Sequence, residues 1–505
     1  MERYVVIDLE TTGNNPTADD KIIDVGIVVI ENQQIIDEFA TLLNPNQPIP
    51  PFIANLTGIS DDDVKDAPTF EDIADEIIER FQDGYLVAHN VPFDLGFLNA
   101  ELKKAGKEPL KNPIMDTVEL ARILFPQAPG YQLGQLAEHF QLTHDQPHRA
   151  LSDAQVTAKL LLILIKKINT LPYETVTQLL TLEKHLHSDL YELLLARQKA
   201  AQFETQEAYL TYKGIAYLNP DEKQNAQVEL SLSYGHFLDD IYEQAGTMEK
   251  HIPNYERREG QRDISEFIYD AFHLKKHARI EAGTGIGKTI AYLLPAVYEA
   301  ITSNKRVVIA THTTQLQSQM LEEDIPLVKK LVNIPFRVAV LKGRQHYISL
   351  NRFEQSLHQQ QENYDVILTK AKILIWLTET KTGDIEEIRL PASGYHYFKT
   401  ISAQTETYQW DPHSYYYRAR TRAEQADLVI TNHALLCADM TNQSQLISAY
   451  NKVIIDEAHH FEKVASQHFG LTLSYTQVQH ALSEISTLLI DQSNQGVSTE
   501  DRYDL

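Results

Sequence analysis

The first third of the chain switches between strand-like and helix-like spacing of its apolar positions. Val5, Val6 and Ile7 follow one another, a run that suits a buried strand from Tyr4 to Leu9. Asp8 and Glu10 interrupt it near its end. Residues two apart on a strand share a face, so both carboxylates are predicted to point into one pocket. Thr11-Thr12-Gly13 then breaks the strand. Ile22 to Ile30 and Gln34 to Leu43 carry further strand patterns, joined by a turn at Glu31-Asn32, which begins an antiparallel meander. Leu86-Val87-Ala88 is another short strand, followed by His89-Asn90-Val91-Pro92-Phe93-Asp94. Pro92 suits the first turn of a helix that should run to about Lys104 and stop at Gly106. Asp94 falls in that first turn, where the helix dipole favours negative charge. His148-Arg149-Ala150-Leu151-Ser152-Asp153-Ala154 opens a strongly apolar helix ending near Ile168, with His148 on the loop and Asp153 about one turn inside.

The middle of the chain carries no chemical signature. Val176 to Ala200 has helical periodicity, Ala208 to Leu218 alternates as a strand does, and Asn219-Pro220-Asp221 marks a turn. The polar run Glu222 to Gln227 reads as a solvated loop.

Chemistry returns after Ala278 to Ala282, which reads as a short strand. Ala282 to Thr289 has the form of a phosphate-binding loop with Ala in the first glycine position. Its glycines permit a tight turn whose backbone N–H groups face phosphate oxygens. Lys288 would reach the β- and γ-phosphates, and Thr289 would hold Mg²⁺. The helix from Thr289 should bend or end around Pro295. Val453-Ile454-Ile455-Asp456-Glu457-Ala458-His459 is an apolar strand that delivers Asp456 to the metal and Glu457 to a hydrolytic water. Apolar strands at Arg306–Ala310, Arg337–Leu341 and Leu428–Thr431 are separated by helical stretches, which implies a parallel sheet covered by helices. The nucleotide site should lie at that sheet's C-terminal edge.

Bulk properties add bounds. A chain of 505 residues with 43% apolar side chains should form two or three domains. Its formal charge of −25 argues against a broad basic sheath for duplex DNA, though not against a local basic channel or a cation site built from carboxylates. One cysteine, Cys437, excludes a disulfide framework within the chain. The first residues lack the layout of a signal peptide, and the densest apolar run, Leu160 to Ile165, is too short to cross a membrane. A cytoplasmic protein without a membrane partner is expected.

Four carboxylates and one histidine in this order make the N-terminal third similar to the DnaQ-like exonucleases, the proofreading family of DEDDh type. The resemblance covers about residues 1–170. It is carried by Asp8-Leu9-Glu10-Thr11-Thr12-Gly13, Leu56-Thr57-Gly58-Ile59, His89-Asn90-x-x-Phe93-Asp94 and His148 to Ala154. It implies an RNase H-like fold, a mixed sheet with helices, and removal of nucleotides from 3′ ends. Single-stranded DNA is the favoured substrate and RNA the alternative. Hydrolysing a phosphodiester at such a site uses two Mg²⁺ or Mn²⁺ ions roughly 4 Å apart. Asp8 would bridge both, and Glu10, Asp94 and Asp153 would complete the site directly or through water. His148 would act as general base toward the attacking water. Thr11, Leu56 and Phe97 resemble positions that cradle the terminal nucleotide, core packing being the other reading for Leu56 and Phe97.

About residues 250–470 resemble a RecA-like P-loop NTPase lobe of superfamily 2 helicases with a DEAH box, most closely the DinG branch of XPD-like helicases. Tyr255, Arg258 and Gln261, the phosphate-binding loop, Thr311 to Leu316, Thr382-Gly383-Asp384, Thr431 to Leu436 and the DEAH box carry it. ATP with Mg²⁺ would be held by Gly283, Thr284, Gly285, Ile286, Gly287, Lys288, Thr289, Gln261, Asp456 and Glu457. The chain departs from that family twice. Lys342-Gly343-Arg344-Gln345-His346-Tyr347-Ile348 is followed by Ser349 where a cluster cysteine is usual, and Tyr408 to Tyr415 contains no cysteine. One thiolate cannot ligate a four-iron cluster, so no iron–sulfur cluster is expected, which argues against strand separation. The sequence also stops at Leu505, soon after the DEAH box, with Thr472 to Asp491 reading as the start of a helical arch. A lobe without its second motor partner should bind ATP weakly, hydrolyse it poorly and not translocate.

The reading is thus an α/β chain: an exonuclease domain at 1–170, a connector at 171–250, a first helicase lobe at 251–470 and the start of an arch at 471–505. The lobe would regulate the nuclease or hold DNA. The alternatives are a helicase–nuclease whose second motor lobe is missing from this sequence, and an ATP-dependent nucleic-acid-binding switch in which cleavage is minor.

Overall fold

The computed structural model describes residues 3–16, 20–204, 207–219, 232–243, 246–253, 255–283, 285–359, 363–405, 411–441, 446–447 and 449–470, with isolated positions beyond. The polar run at 222–227, the Pro220-Asp221 turn and nearly all of the expected arch start at 471–505 lie outside the described residues. The chain divides into two compact units, Met1–Glu222 with Arg344–Tyr416, and Lys223–Gly343 with Tyr417–Leu505. Residues 344–416 fall inside the stretch expected to form one helicase lobe, yet they group with the N-terminal unit.

The first unit is built on a five-stranded mixed sheet. Its strands are β1 (Arg3–Thr11), β2 (Ile22–Glu31), β3 (Gln34–Leu42), β4 (Tyr85–Ala88) and β5 (Ile114–Asp116), in the order β3-β2-β1-β4-β5. The β1, β2 and β3 neighbours are antiparallel, whereas β4 runs parallel to β1 and β5 parallel to β4. The β2–β3 turn sits one residue later than expected: Asn32 and Gln33 both adopt positive φ, the demand of a tight two-residue hairpin.

Alternation along β1 separates core from site. Val5, Ile7 and Leu9 pack with Val25, Ile27 and Val29 of β2 and with the helices Phe70–Arg80 and Val91–Lys104. Asp8 and Glu10 belong to the opposite face and pair across the ladder with Gly26 and Asp24. That face receives the helix Ala150–Ile168, in which Ala150, Ala154 and Ala158 are fully buried at four-residue spacing. Small side chains in this row let the helix lie close to the sheet.

The connector folds as two helices, Tyr173–Leu182 and Tyr191–Ala201, and a hairpin of β6 (Tyr209–Tyr212) and β7 (Ile215–Leu218). The single strand expected over 208–218 is divided because Lys213 and Gly214 both take positive φ. Residues 344–416 add the helices Leu350–Leu357, Tyr364–Leu377 and Ala392–Ile401. Every residue from Ile367 to Leu377 is buried. A helix buried all round lies in the interior of its unit, and this one packs on Thr117–Leu124 of the N-terminal portion and on Tyr173–Leu182 of the connector.

The second unit holds a parallel sheet of β8 (Val307–Thr311), β9 (Val338–Val340), β10 (Leu428–Asn432) and β11 (Lys452–Ile455), in the order β11-β8-β10-β9. These are the four strands expected from the apolar runs. The expected fifth, Ala278 to Ala282, joins no sheet. Arg279 and Glu281 alternate with its three small or apolar residues, and residues 278–281 are exposed, so little burial favours a place in the sheet. The helix after the phosphate loop, Lys288–Ser303, runs through Pro295 rather than ending there.

Candidate active site

Three elements bring the carboxylates of the first unit together. β1 supplies Asp8 and Glu10, and the first turns of Val91–Lys104 and Ala150–Ile168 supply Asp94 and Asp153. Asp94 is 4% exposed, and its Oδ1 accepts a hydrogen bond of 3.1 Å from the backbone N–H of Leu9, the residue between the two strand carboxylates. Asp153 accepts from the N–H of His148 at 3.3 Å. His148 itself is exposed with φ 64°, and its ring offers a ligand atom within 4.8 Å of those of Glu10 and Asp153.

The charges in this cluster oppose one another. Burial, followed by repulsion from Asp94, Asp153, Glu10 and Asp24, holds the Asp8 carboxyl well above the usual carboxylate range. Burial also raises Asp94 well above that range, against hydrogen bonds that lower it. Glu10 is pushed up to about 7 by burial and by Asp153 and Asp24, with Arg149 pulling the other way. A site that disfavours its own negative charge is one that a divalent cation would relieve, and hard carboxylate oxygens are the donors Mg²⁺ and Mn²⁺ take.

A carboxyl raised in the folded state contributes stability below its unfolded pKa and loses it as pH rises through the folded value. For Glu10 that window runs from about 4.5 to about 7. The metal-free protein should therefore lose thermal stability between pH 5 and pH 8, and the gain in melting temperature on adding Mn²⁺ should grow over the same range. Calorimetry with and without Mn²⁺ at both pH values checks this. A gain that shrinks with pH would contradict the charge assignment.

Three contributors escaped the sequence reading. Asp24 on β2 accepts from Arg149 Nε at 3.0 Å and from the N–H of Ala150 at 3.3 Å, which fixes the start of the Ala150–Ile168 helix. Gly26 lies beneath that helix: a Cβ there would sit 2.2 Å from the Ala150 carbonyl carbon. A charge and a glycine inside an otherwise apolar strand were the available signals. His144 brings Nε2 to 2.5 Å from Asp153 Oδ1, a contact that nothing in the local pattern marks.

The expected nucleotide-cradling residues divide. Leu56 is 43% exposed on the helix Pro51–Thr57. Thr11 is buried and donates to the Gly13 carbonyl at 2.6 Å. Phe97 is fully buried against Phe93 in the core and presents no surface to a ligand, so core packing is its role here.

Known proteins align with both units. Residues 5–161 match the exonuclease family model RNase_T, and residues 258–391 match the DEAD/DEAH box helicase model. The "3'-5' exonuclease DinG" of Bacillus subtilis (strain 168) is 43% identical over 499 residues, covering 96% of this chain and 53% of that protein. Over nearly its whole length the chain is similar to these DinG proteins. The Staphylococcus aureus (strain MRSA252) DinG is 36% identical over 491 residues, again 96% of this chain and 53% of that protein. The chain thus spans about half the length of these DinG relatives. Among solved structures, "Exonuclease X in complex with 5' overhanging duplex DNA" is 27% identical over 33% of this chain and 92% of that chain, with a TM-score of 0.27.

In the helicase-like unit, the described part of the phosphate-binding loop has Gly285 and Gly287 at φ 86° and 83°. Thr284 lies outside the described residues. Gly287 caps Lys288–Ser303, and its carbonyl accepts from Gln261 Nε2 at 3.0 Å, while Arg258 donates to the Gly285 carbonyl. Lys288 Nζ stands 3.3 Å from Glu457 Oε1, and the Tyr292 hydroxyl donates to Asp456 Oδ2 at 3.1 Å. The two halves of the nucleotide motif therefore face each other across β11 and the loop. Ser349, at the expected cysteine position, lies in the other unit and caps the helix Leu350–Leu357.

Proposed function

We propose that this chain is a metal-dependent 3′→5′ exonuclease that hydrolyses single-stranded DNA, with an attached ATP-binding lobe that regulates cleavage or retains DNA. The observation that carries the reading is the convergence of Asp8, Glu10, Asp94, Asp153 and His148 at one end of β1. The relatives named as 3′-5′ exonucleases support it.

Asp8, Glu10, Asp94 and Asp153 would hold Mg²⁺ or Mn²⁺. Such ions, when bound, neutralise charge on the phosphate and lower the pKa of a bound water. The protein's part is positional. The Leu9 N–H fixes Asp94, and the His148 N–H with the His144 ring fixes Asp153. The His148 imidazole, on the exposed side, takes the proton of the attacking water. Glu10 and Asp153 beside it balance the charge it gains. Thr11 and Leu56 would border the terminal nucleotide.

The test is a time course on single-stranded DNA labelled at its 5′ end, with Mn²⁺ or Mg²⁺, with and without ATP, beside RNA of the same sequence. A ladder shortening from the 3′ end of DNA is expected. Intact DNA beside degraded RNA would move the assignment to an RNA exonuclease, and intact polymer in every lane would overturn it.

ATP with Mg²⁺ is the ligand proposed for Lys288, Thr289, Gln261, Asp456 and Glu457. Lys288→Ala should abolish binding of a fluorescent ATP analogue, read by anisotropy, because no other side chain supplies the phosphate-facing ammonium of this motif. Unchanged binding would place the nucleotide elsewhere.

A further inference from the structure

Two routes of polar contacts run from residues 344–416 to the turn that launches Asp94. That turn is Ala88-His89-Asn90-Val91, with Asn90 at φ 90° and Asp94 one turn into the helix that follows.

The first route starts at Tyr364. Its hydroxyl donates to Glu119 Oε1 at 2.7 Å, and its ring stacks on His187 at 4.0 Å. The buried Glu119 carboxylate also accepts from the N–H groups of His187 and Ser188 at 2.9 and 2.8 Å. Ser188 Oγ in turn accepts from the N–H of Asp116 at 3.0 Å. The Asp116 carboxylate accepts from the N–H groups of Asn90 and Val91 at 3.3 and 3.1 Å.

The second route starts at Arg389, which donates to the Pro129 carbonyl at 2.9 Å. Lys372 donates to the Arg389 carbonyl at 2.7 Å and lies 5.2 Å over the Tyr131 ring. The Tyr131 carbonyl accepts from His89 Nε2 at 3.0 Å. Burial pushes His89 down to about 4, so its ring is neutral at physiological pH.

We propose that residues 344–416 brace the exonuclease metal site, with Tyr364 and the Lys372–Arg389 pair as positioning residues that hold the His89-Asn90 turn and, through it, Asp94. A stretch of the helicase-like sequence is thereby an integral part of the nuclease. The inference rests on the assignment of Asp94 to a metal site. Hydrogen-bonded partners outside the ligand shell tune metal affinity by orienting the ligands, typically about 10- to 100-fold when they touch the ligand itself.

The experiment uses the full chain without nucleotide and two readouts: Mn²⁺ binding from the electron paramagnetic resonance signal of free Mn²⁺, and melting temperature by calorimetry. Tyr364→Phe removes one hydrogen bond and keeps the stack on His187. Lys372→Met with Arg389→Ala cuts the second route independently. Each should weaken Mn²⁺ binding roughly 3- to 10-fold, less than loss of a directly bonded outer partner because the routes are indirect. Glu387→Gln is the control. It weakens the acceptor of the Trp376 indole N–H, a 2.8 Å contact within the same segment, and should lower the melting temperature with Mn²⁺ affinity unchanged. Wild-type Mn²⁺ affinity in both brace variants, whatever their melting temperatures, overturns the proposal. Mn²⁺ that fails to bind the wild type, or binds Asp8→Asn equally well, refutes the metal-site reading and the brace with it.

Discussion

Asp8→Asn should reduce cleavage by roughly 10³-fold or more, about 4 kcal/mol of barrier, while raising the melting temperature of the metal-free chain at pH 8. The substitution keeps size and shape but deletes the charge that faces the other carboxylates. Asp8 is raised well above the usual range by burial first and then by Asp94, Asp153, Glu10 and Asp24. Such a group contributes stability at low pH and loses it as pH rises, so at pH 8 its carboxylate is a cost that Asn does not carry. The proposed catalysis would use the same carboxylate as a cation ligand, which makes loss of activity and gain of stability two readings of one arrangement. The gain should vanish when Mn²⁺ is present, because the ion relieves the repulsion in the wild type. Cleavage rates on 5′-labelled DNA and calorimetry with and without Mn²⁺ separate the outcomes. Activity and stability falling together would mean global damage, and cleavage at the wild-type rate would place the catalytic metals elsewhere.

Much of this site could be read in the sequence because its parts are local. Asp8 and Glu10 share a face by strand alternation, and Asp94 and Asp153 open helices whose starts have their own signals in Pro92 and in the onset of the apolar run after Arg149. The phosphate loop and DEAH strand were legible for the same reason. What escaped depends on pairing between distant segments. Asp24 matters because β2 places it opposite Glu10, and register across a ladder is not written in either strand alone. Phe97 and Leu56 carried the same expectation, yet packing against Phe93 buried one while the other is left on the surface. The grouping of 344–416 with the N-terminal unit is the largest such case. The apolar run of Tyr364–Leu377 shows that this helix must be covered, but not that Thr117–Leu124 and Tyr173–Leu182 cover it. Likewise the strand expected at 278–282 is absent: alternation allowed it, but it found no partner among the described residues.

Gly26→Ala should destabilise the protein by about 1–3 kcal/mol, the usual range for forcing atoms into a filled space, and slow cleavage on the order of 10²-fold. The added methyl would stand 2.2 Å from the Ala150 carbonyl carbon and 2.3 Å from the Leu151 nitrogen. Both are backbone atoms, so no side chain can swing aside, and relief requires the Ala150–Ile168 helix to move off β2. That helix start carries Asp153, is joined to His148 through Arg149 and is tied to Asp24 through the Ala150 N–H. A shift of about 1 Å, the scale at which misplaced groups lose such rates, would carry two of the five site residues away from the other three. Gly134 supplies the contrast. It lies in the helix Leu133–His139, and a methyl added there would meet nothing within 4 Å, so Gly134→Ala should raise the melting temperature and leave cleavage unchanged. Calorimetry and single-turnover rates on both variants test the pair. A Gly26→Ala protein with wild-type stability and rate would show that the helix is not held against β2 as closely as this packing requires, and the origin of the Asp153 and His148 placement would then lie in the loop at 141–149 rather than in the sheet.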